Sequence, residues 1–567
     1  MENQRNMILA IVLSAVVLIG WSFLSSHFFP TANPPATKIE GGKENVVSNS
    51  AANPAADSPA AIRDRRVVLA ETPRVAIRTP LLAGSINLKG ARIDDLVLIG
   101  YRETIKKDSP PIRLLSPGGT PSAYFANFGW SGDGVILPGP DTIWIADGRE
   151  LTPAKPITLS WTNPAGQAFA LRVAVDENYM FTVDQIVVNR GGAPVVVRPY
   201  ALISRVGISK DPDTWTMHTG PIGVFGGVAN YGVNFKNVDE ADGNGVQLAD
   251  ANWLGFGDKY WLTALIPGHA TGDAAFRAGS GKRYQAELAS APTILQPGKS
   301  LITAQHFFAG AKEVSVLDRY EKNLKVIQFD KAIDWGWFYW FERPIFWVLD
   351  HLFRLVGNFG VATILLTFIV RGLMFPIAHK QFQSMAAMRV VQPKMKALQE
   401  KHKDDKATLQ QEMLKLYQAE KINPLAGCLP MFLQIPVFYA LYKVLMLSIE
   451  MRHQPFVLWI KDLSAPDPLT PINLFGLLPF EPPHFLHLGI LPILLGITMW
   501  LQFKLNPQPM DEAQKQVFAI MPWVLMFVMA PFAAGLQLYW VVSNVLTILQ
   551  QRWLYSRHPG MKQATAK

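Results

Sequence analysis

The sequence predicts a polytopic α-helical membrane protein, six transmembrane helices in all, with one large all-β domain outside the membrane. Three observations predict it. Long apolar runs lie near the N-terminus and again beyond residue 354, whereas residues 61–330 carry only short β-branched runs punctuated by Gly, Pro, Asn and Asp. The chain is 49% hydrophobic over 567 residues, more than a wholly soluble protein needs. Lys and Arg gather in some loops and avoid others, which is the asymmetry that orients spans.

Residues 1–6 form a cytoplasmic N-terminus, and 7–24 (MILAIVLSAVVLIGWSFL) just cross a bilayer core of about 30 Å. Arg5 precedes this run and no small-x-small cleavage site follows it, so it reads as an uncleaved signal anchor. Residues 25–60, rich in Pro, Ala, Asn and Ser, bury too little to offset ordering entropy and read as a flexible linker. Within 61–330, Val67 to Leu69, Val75 to Ile77, Phe181 to Val188 and Val195 to Arg198 read as strands, and Asn189-Arg190-Gly191-Gly192 as a hairpin connection between the last two. Strands in this number imply two packed sheets.

Asp318 to Phe329 reads as a short charged helix leaving that domain. Residues 331–354, dense in Trp, Phe and Tyr, read as an amphipathic helix lying in the headgroup layer. Spans follow at 355–377, 422–447, 485–505, 517–533 and 535–555. A helical hairpin (378–421), an outer loop (448–484) and a short inner loop (506–516) separate them, and 556–567 form a cytoplasmic tail. Ala378 to Lys421 holds nine Lys or Arg and Ser448 to His484 only two, which puts the hairpin inside and the all-β domain outside. Phe382, Met385 and Met388 recur at helical spacing before Pro393, as do Leu409, Met413 and Leu416 after the polar break, giving a methionine-rich seam.

Several function classes drop out. The net charge of +9 is distributed by membrane topology, with no zinc-ligand spacing and no aromatic-interleaved platform, so no direct nucleic acid recognition is expected. No GxxxxGKS/T phosphate loop, HExxH helix or GxSxG elbow occurs; no cofactor, metal or catalytic residue is expected. His218, His269 and His306 in the outer domain read as structural. The lone Cys428 excludes an internal disulfide framework, and its lipobox-like setting Leu425-Ala426-Gly427-Cys428 lies too deep in the chain to be one.

One charge, Arg371, interrupts the apolar run FGVATILLTFIVRGLMFP from Phe359 to Pro376. A guanidinium at mid-helix depth costs about 2.5–3.5 kcal/mol on insertion scales. The thirteen Leu, Ile, Val and Phe between Leu355 and Ile377 contribute about −4 to −8 kcal/mol, so the segment still spans. Snorkelling is one account, since a helix ending near Ile377 leaves Arg371 about 9 Å from the interface. A polar path is the other. Thr363, Thr367 and Arg371 share one helix face; Gln537, Trp540, Asn544, Thr547 and Gln551 form a second stripe in the last span. Gln434 adds an amide in the third span, and Thr498 and Gln502 pair on the fourth, while 517–533 is apolar on all sides. Helix glue at about 0.6–2 kcal/mol per contact suffices for the threonines and Asn544 taken singly. It does not account for a full positive charge with no Asp or Glu in any span; a hydrated cavity opening to the cytoplasm does.

The stretches VRGLMFPIAHKQFQSMAAMRVVQPKMKALQE, LYQAEKINPLAGCLPMFLQIPVFYALYKVL, FVLWIKDLSAP and GLQLYWVVSNVLTILQQRWL resemble the YidC/Oxa/Alb family of membrane protein insertases, in its Gram-negative form with a large periplasmic domain. The resemblance covers nearly the whole chain. It implies a five-helix insertase core whose groove opens to cytoplasm and lipid and is closed outward, and a periplasmic β-supersandwich similar to mutarotase folds but without evident enzyme residues. It places the groove arginine at Arg371, its neighbouring threonine at Thr367 and the aromatic of the last span at Trp540, where some relatives have Tyr. With the polar stripes, the expected groove set is Arg371, Thr367, Thr363, Gln434, Trp540 and Asn544. The outer loop from Pro468 to His487 departs from the family by its length. The implied function is insertion and folding of integral membrane proteins in the bacterial inner membrane, alone or with the Sec translocon, with both termini cytoplasmic. Implied partners are nascent membrane proteins, the Sec translocon, inner-membrane lipids and, given the short basic tail, a weakly held ribosome. A lipid scramblase and a sugar-binding envelope scaffold are the rival functions.

Overall fold

The computed structural model describes residues 62–557 except 212, 214–215, 242–244, 269–272, 403–404, 421–428, 476, 479–487 and 506–511. The expected anchor (7–24), the linker (25–60), His269, Cys428 and residues 558–567 of the tail lie outside these, as do the side chains of Phe382, Met385 and Met388.

Alternation builds the outer domain. Gln167–Val175 and Met180–Asn189 bury every second side chain, and they pair antiparallel with the register Val175 to Phe181 through Gln167 to Asn189. The Met180–Asn189 strand pairs on its other side with Ser300–Ala311, which pairs in turn with Trp261–Pro267, at the centre of a nine-stranded sheet. The second sheet has eleven strands around Val195–Val206, Tyr124–Ser131 and Arg92–Arg102. Their inner faces meet through aromatic pairs, Phe128 on Phe307 at 6.3 Å and Trp130 on Phe169 at 5.2 Å between centroids. A buried Gln185 side chain crosses the gap and donates to Gly129 O at 2.7 Å.

Two expectations for this domain are corrected. Val67 to Leu69 is not a strand but part of helix α1, Arg65–Ala70, because Asp64 caps it by accepting from Arg66 N at 2.8 Å. The Asn189–Gly192 turn does not close a hairpin, since the strands it joins belong to different sheets. Asn189 is wholly buried; its amide donates to Ala193 O and Leu295 O, both at 2.9 Å, and its oxygen accepts from Gly191 N at 3.0 Å. That network carries the chain across the sandwich.

Helix α2 is Phe235–Glu240 and α3 is Val314–Asn323. After a 3₁₀ turn at Gly336–Phe338 comes α4, Tyr339–Val356, which buries Glu342, Ile345, Phe346 and Leu349 while Trp340 and Trp347 stay exposed. The buried set falls at i, i+3, i+4 and i+7, so the helix is amphipathic as expected, but it begins at Tyr339 and not at 331, because 3₁₀ turns at Phe329–Ala332 and Gly336–Phe338 precede it. Arg343 fixes α4 to α3 through a forked ion pair with Asp318, with Nη2 2.8 Å from Oδ2.

Gly357, at φ 68°, ends α4, and Asn358 starts α5, Phe359–Lys401, by accepting from Val361 N at 3.1 Å. The helix runs on through Pro376 and Pro393, so it does not end near Ile377. Helix α6 is Lys406–Ala419, folded against the far end of α5 through Val391 and Met395 on one side and Met413, Leu416 and Tyr417 on the other. The bundle is completed by α7 (Leu429–Leu447), α8 (Ile490–Leu505), α9 (Glu512–Met529) and α10 (Ala534–Arg557). Helix α10 packs on α5 and α8, α9 on α8, and α4 on α5 and α7. Among the described residues Phe359–Lys380 alone is long and apolar enough to cross a membrane unaided; Gln434–Leu447, Ile490–Leu505 and Ala519–Met529 are shorter apolar helices.

Candidate functional site

Arg371 projects from α5 onto α10, where Nε and Nη2 both donate to Ser543 Oγ, the former at 3.0 Å. No carboxylate lies within ion-pair distance of it among the described residues. Gln434, on α7, donates to Tyr539 Oη at 2.8 Å, one turn before Ser543 on α10. Arg371, Gln434, Tyr539 and Ser543 thus converge from three helices. The Oε1 atoms of Gln434, Gln537 and Gln551 are buried and find no partner among the described residues. Buried amide oxygens in that condition are sites for water.

The other expected residues are placed differently. Thr363 and Thr367 are fully buried on the Arg371 face, and their hydroxyls donate back to Phe359 O at 2.8 Å and Thr363 O at 2.7 Å. Trp540 packs edge-on against Phe438 of α7, with centroids 4.6 Å apart. Asn544 donates to Thr498 Oγ1 of α8 at 3.1 Å. Gln537 donates to Met529 O and Phe532 O, both at 2.8 Å, and so closes the turn between α9 and α10. Sequence reasoning missed Ser543 and Tyr539, which lie one residue before the selected Asn544 and Trp540. One residue is about 100° of helix, enough between Ser543 and Asn544 to exchange the face that meets α5 for the face that meets α8, whereas Tyr539 and Trp540 both meet α7, at Gln434 and Phe438. The signal was present, because Tyr539 and Ser543 are themselves spaced i, i+4.

A second buried cation was also missed. Lys443, near the C-terminal end of α7, is 1% exposed and donates to Thr216 O at 2.5 Å and Asp334 O at 2.6 Å, joining the helix to the β domain and its exit segment. Glu342 of α4 is buried close by, and neither of its oxygens has a partner among the described residues. Burial pushes its carboxyl up to about 7, with Lys443 opposing the rise and Asp334 adding to it. A carboxyl raised in the native state holds its proton better folded than unfolded. Its contribution to stability is therefore complete below about pH 4.3, the unfolded value, and is lost as pH climbs to 7. Glu342→Gln is expected to flatten the fall of the unfolding midpoint between pH 5 and 8, leaving the part due to Glu450, which burial also raises to about 7. Thermal unfolding of both proteins across that range checks this; parallel curves would exclude it.

The surface around these residues is apolar. Helix α9 leaves Val517, Ile520, Trp523, Val524, Phe527 and Val528 exposed, and α5 leaves Phe368, Ile369 and Leu373 exposed. Exposed apolar rows of this length need lipid or an apolar partner.

Residues 351–562 match the family model of the 60Kd inner membrane protein, and residues 74–348 match that of the YidC periplasmic domain. The chain belongs to the YidC family of membrane protein insertases. The membrane protein insertase YidC of Zymomonas mobilis is 51% identical over 98% of this chain and 96% of its own length. That of Rhizobium meliloti is 45% identical over 99% of this chain and 97% of its own. A crystal structure of an active YidC insertase with its first transmembrane domain resolved aligns at a TM-score of 0.37 and 19% identity, covering 86% of this chain and 93% of that one. The YidC family is one of inner-membrane proteins with a β-rich periplasmic domain and a helical core, and its members are insertases rather than enzymes.

Proposed function

We propose that this chain inserts newly made membrane proteins through a hydrated groove between α5, α7 and α10. The observation that carries the reading is Arg371, a guanidinium in a membrane helix whose anchor is a serine hydroxyl and not a carboxylate. Such a charge needs water or an incoming anion. The buried amide oxygens of Gln434 and Gln551 support the same reading. An acidic residue in a client's short hydrophilic tail is drawn to Arg371, the tail is carried partway across, and the client's apolar segment leaves sideways along the exposed faces of α5 and α9. No nucleotide takes part.

The topology in this reading has six spans, both termini cytoplasmic and the β domain periplasmic, with α4 lying in the outer interface. The positive-inside count of the loops supports it. Nascent chains, inner-membrane lipids, the Sec translocon and a loosely held ribosome are the partners. Photocrosslinkers placed at Thr367, Gln434 and Trp540 are expected to capture a ribosome-tethered membrane protein in inner-membrane vesicles, with the strongest adducts from Gln434, whose amide faces Tyr539. No adduct from any of the three would sink the groove.

A further inference from the structure

The outer loop between α7 and α8 sits on the outward ends of both helix faces that meet at Arg371. Gly360, Thr363, Thr367 and Arg371 lie on one face of α5. The Phe456 ring rests on Gly360 so closely that a Cβ there would meet Phe456 Cδ2 at 2.0 Å, and Asn358 Nδ2 donates to Phe456 O at 3.0 Å. On α10, Gly535, Tyr539 and Ser543 follow at i, i+4 and i+8. Gly535 N donates to Leu463 O at 2.9 Å and Ala534 N to Ala465 O at 2.8 Å. The contact between Arg371 and Ser543 is about 16 Å further along α5 and about 12 Å further along α10, at 1.5 Å of rise per residue.

Asp467 fastens this loop. It is 1% exposed; Oδ2 accepts from Leu491 N in the first turn of α8 at 2.8 Å, and Oδ1 accepts from Trp459 Nε1 at 2.9 Å and Leu469 N at 3.1 Å. Gly489 lets the aspartate in, since a Cβ there would stand 2.6 Å from Asp467 Cβ. Within the loop, Phe456 N donates to Ile460 O at 2.9 Å and Leu463 N to Gln454 O at 3.0 Å, and Ile460 and Leu463 are buried. A carboxylate held by three N–H donors at the positive end of a helix is a fixed point from which the apolar part of the loop is held down.

We propose that residues 456–467 are the outward seal of the groove and that Asp467 is the positioning residue that keeps it closed. The proposal rests on the groove reading above, and the test separates the two. The full chain, with Cys428→Ser removing its single native cysteine, carries Gln434→Cys or Trp540→Cys as a probe, and a membrane-impermeant maleimide is applied to sealed vesicles of either orientation. Both probes are expected to react from the cytoplasmic face and to be protected from the outer face. Asp467→Ala and, independently, Phe456→Ala are expected to speed outer-face labelling at least tenfold with the cytoplasmic rate unchanged. Asp467→Asn keeps one acceptor oxygen but turns an NH2 toward N–H donors on the other side, and is expected to fall between the parent and Asp467→Ala. Unchanged outer-face protection in both alanine variants, with cytoplasmic labelling intact, overturns the seal and leaves the groove standing. Protection of both probes from both faces in every variant overturns both. A rise from the two faces together reports loosening of the whole bundle and counts against a dedicated seal.

Discussion

Arg371→Ala is expected to slow insertion of a client with an acidic tail by between about tenfold and a hundredfold. A hydrogen bond to a charged group contributes about 1.5–3 kcal/mol, and 1.4 kcal/mol is a factor of ten. The anchor from Ser543 fixes the guanidinium plane, so the donors not used on that hydroxyl are preset for the tail. Arg371→Lys keeps the charge and loses that geometry, and should fall between the two. A client with a neutral tail should change less than threefold. Insertion into proteoliposomes of paired clients differing only in tail charge measures this; equal losses for both would mean that Arg371 serves only to keep the groove wet.

Lys443→Met is the second large effect, and it falls on stability. The substitution removes the hydrogen bonds from the ammonium to Thr216 O and Asp334 O, and a hydrogen bond to a charged group contributes about 1.5–3 kcal/mol. It also removes the cation nearest Glu342. A loss of about 3 kcal/mol is expected, read as a lower unfolding midpoint in detergent and as faster proteolysis of the segment around Thr216. Combining it with Glu342→Gln should recover part of the loss, because the carboxyl no longer needs a compensating charge. A Lys443→Met protein as stable as its parent would show that this junction does not hold the β domain to α7.

Local pattern carried much of the fold. The two-residue alternation of Met180–Asn189 and the aromatic face of α4 are properties of short windows, and both appear in the structure as read. Val67 to Leu69 failed because a β-branched run was weighed without Asp64, whose cap decides for helix. The Asn189 turn failed because its glycines suit a hairpin equally well, while the side-chain network that steers it depends on Leu295, 106 residues away. At the site, Arg371 was legible as a charge among apolar residues. Its partner was not, since Ser543 is 172 residues distant and ordinary in type. Lys443 was overlooked for the same reason, its two acceptors lying 227 and 109 residues upstream.

Helix α5 joins Arg371 and the hairpin seam in a single rod of 43 residues, about 64 Å long at 1.5 Å per residue. A rod transmits torque. A load that turns the Met395 end turns the Arg371 face with it, except where the rod is weakened, and Pro376 cannot donate to the Gly372 carbonyl four residues back. That missing bond lies within two turns of Arg371, on the side toward the hairpin. Pro393 leaves a second such gap at the Arg389 carbonyl, so two weak points separate Arg371 from the Met395 seam, and a pull on the hairpin bends α5 there before it turns the Arg371 face.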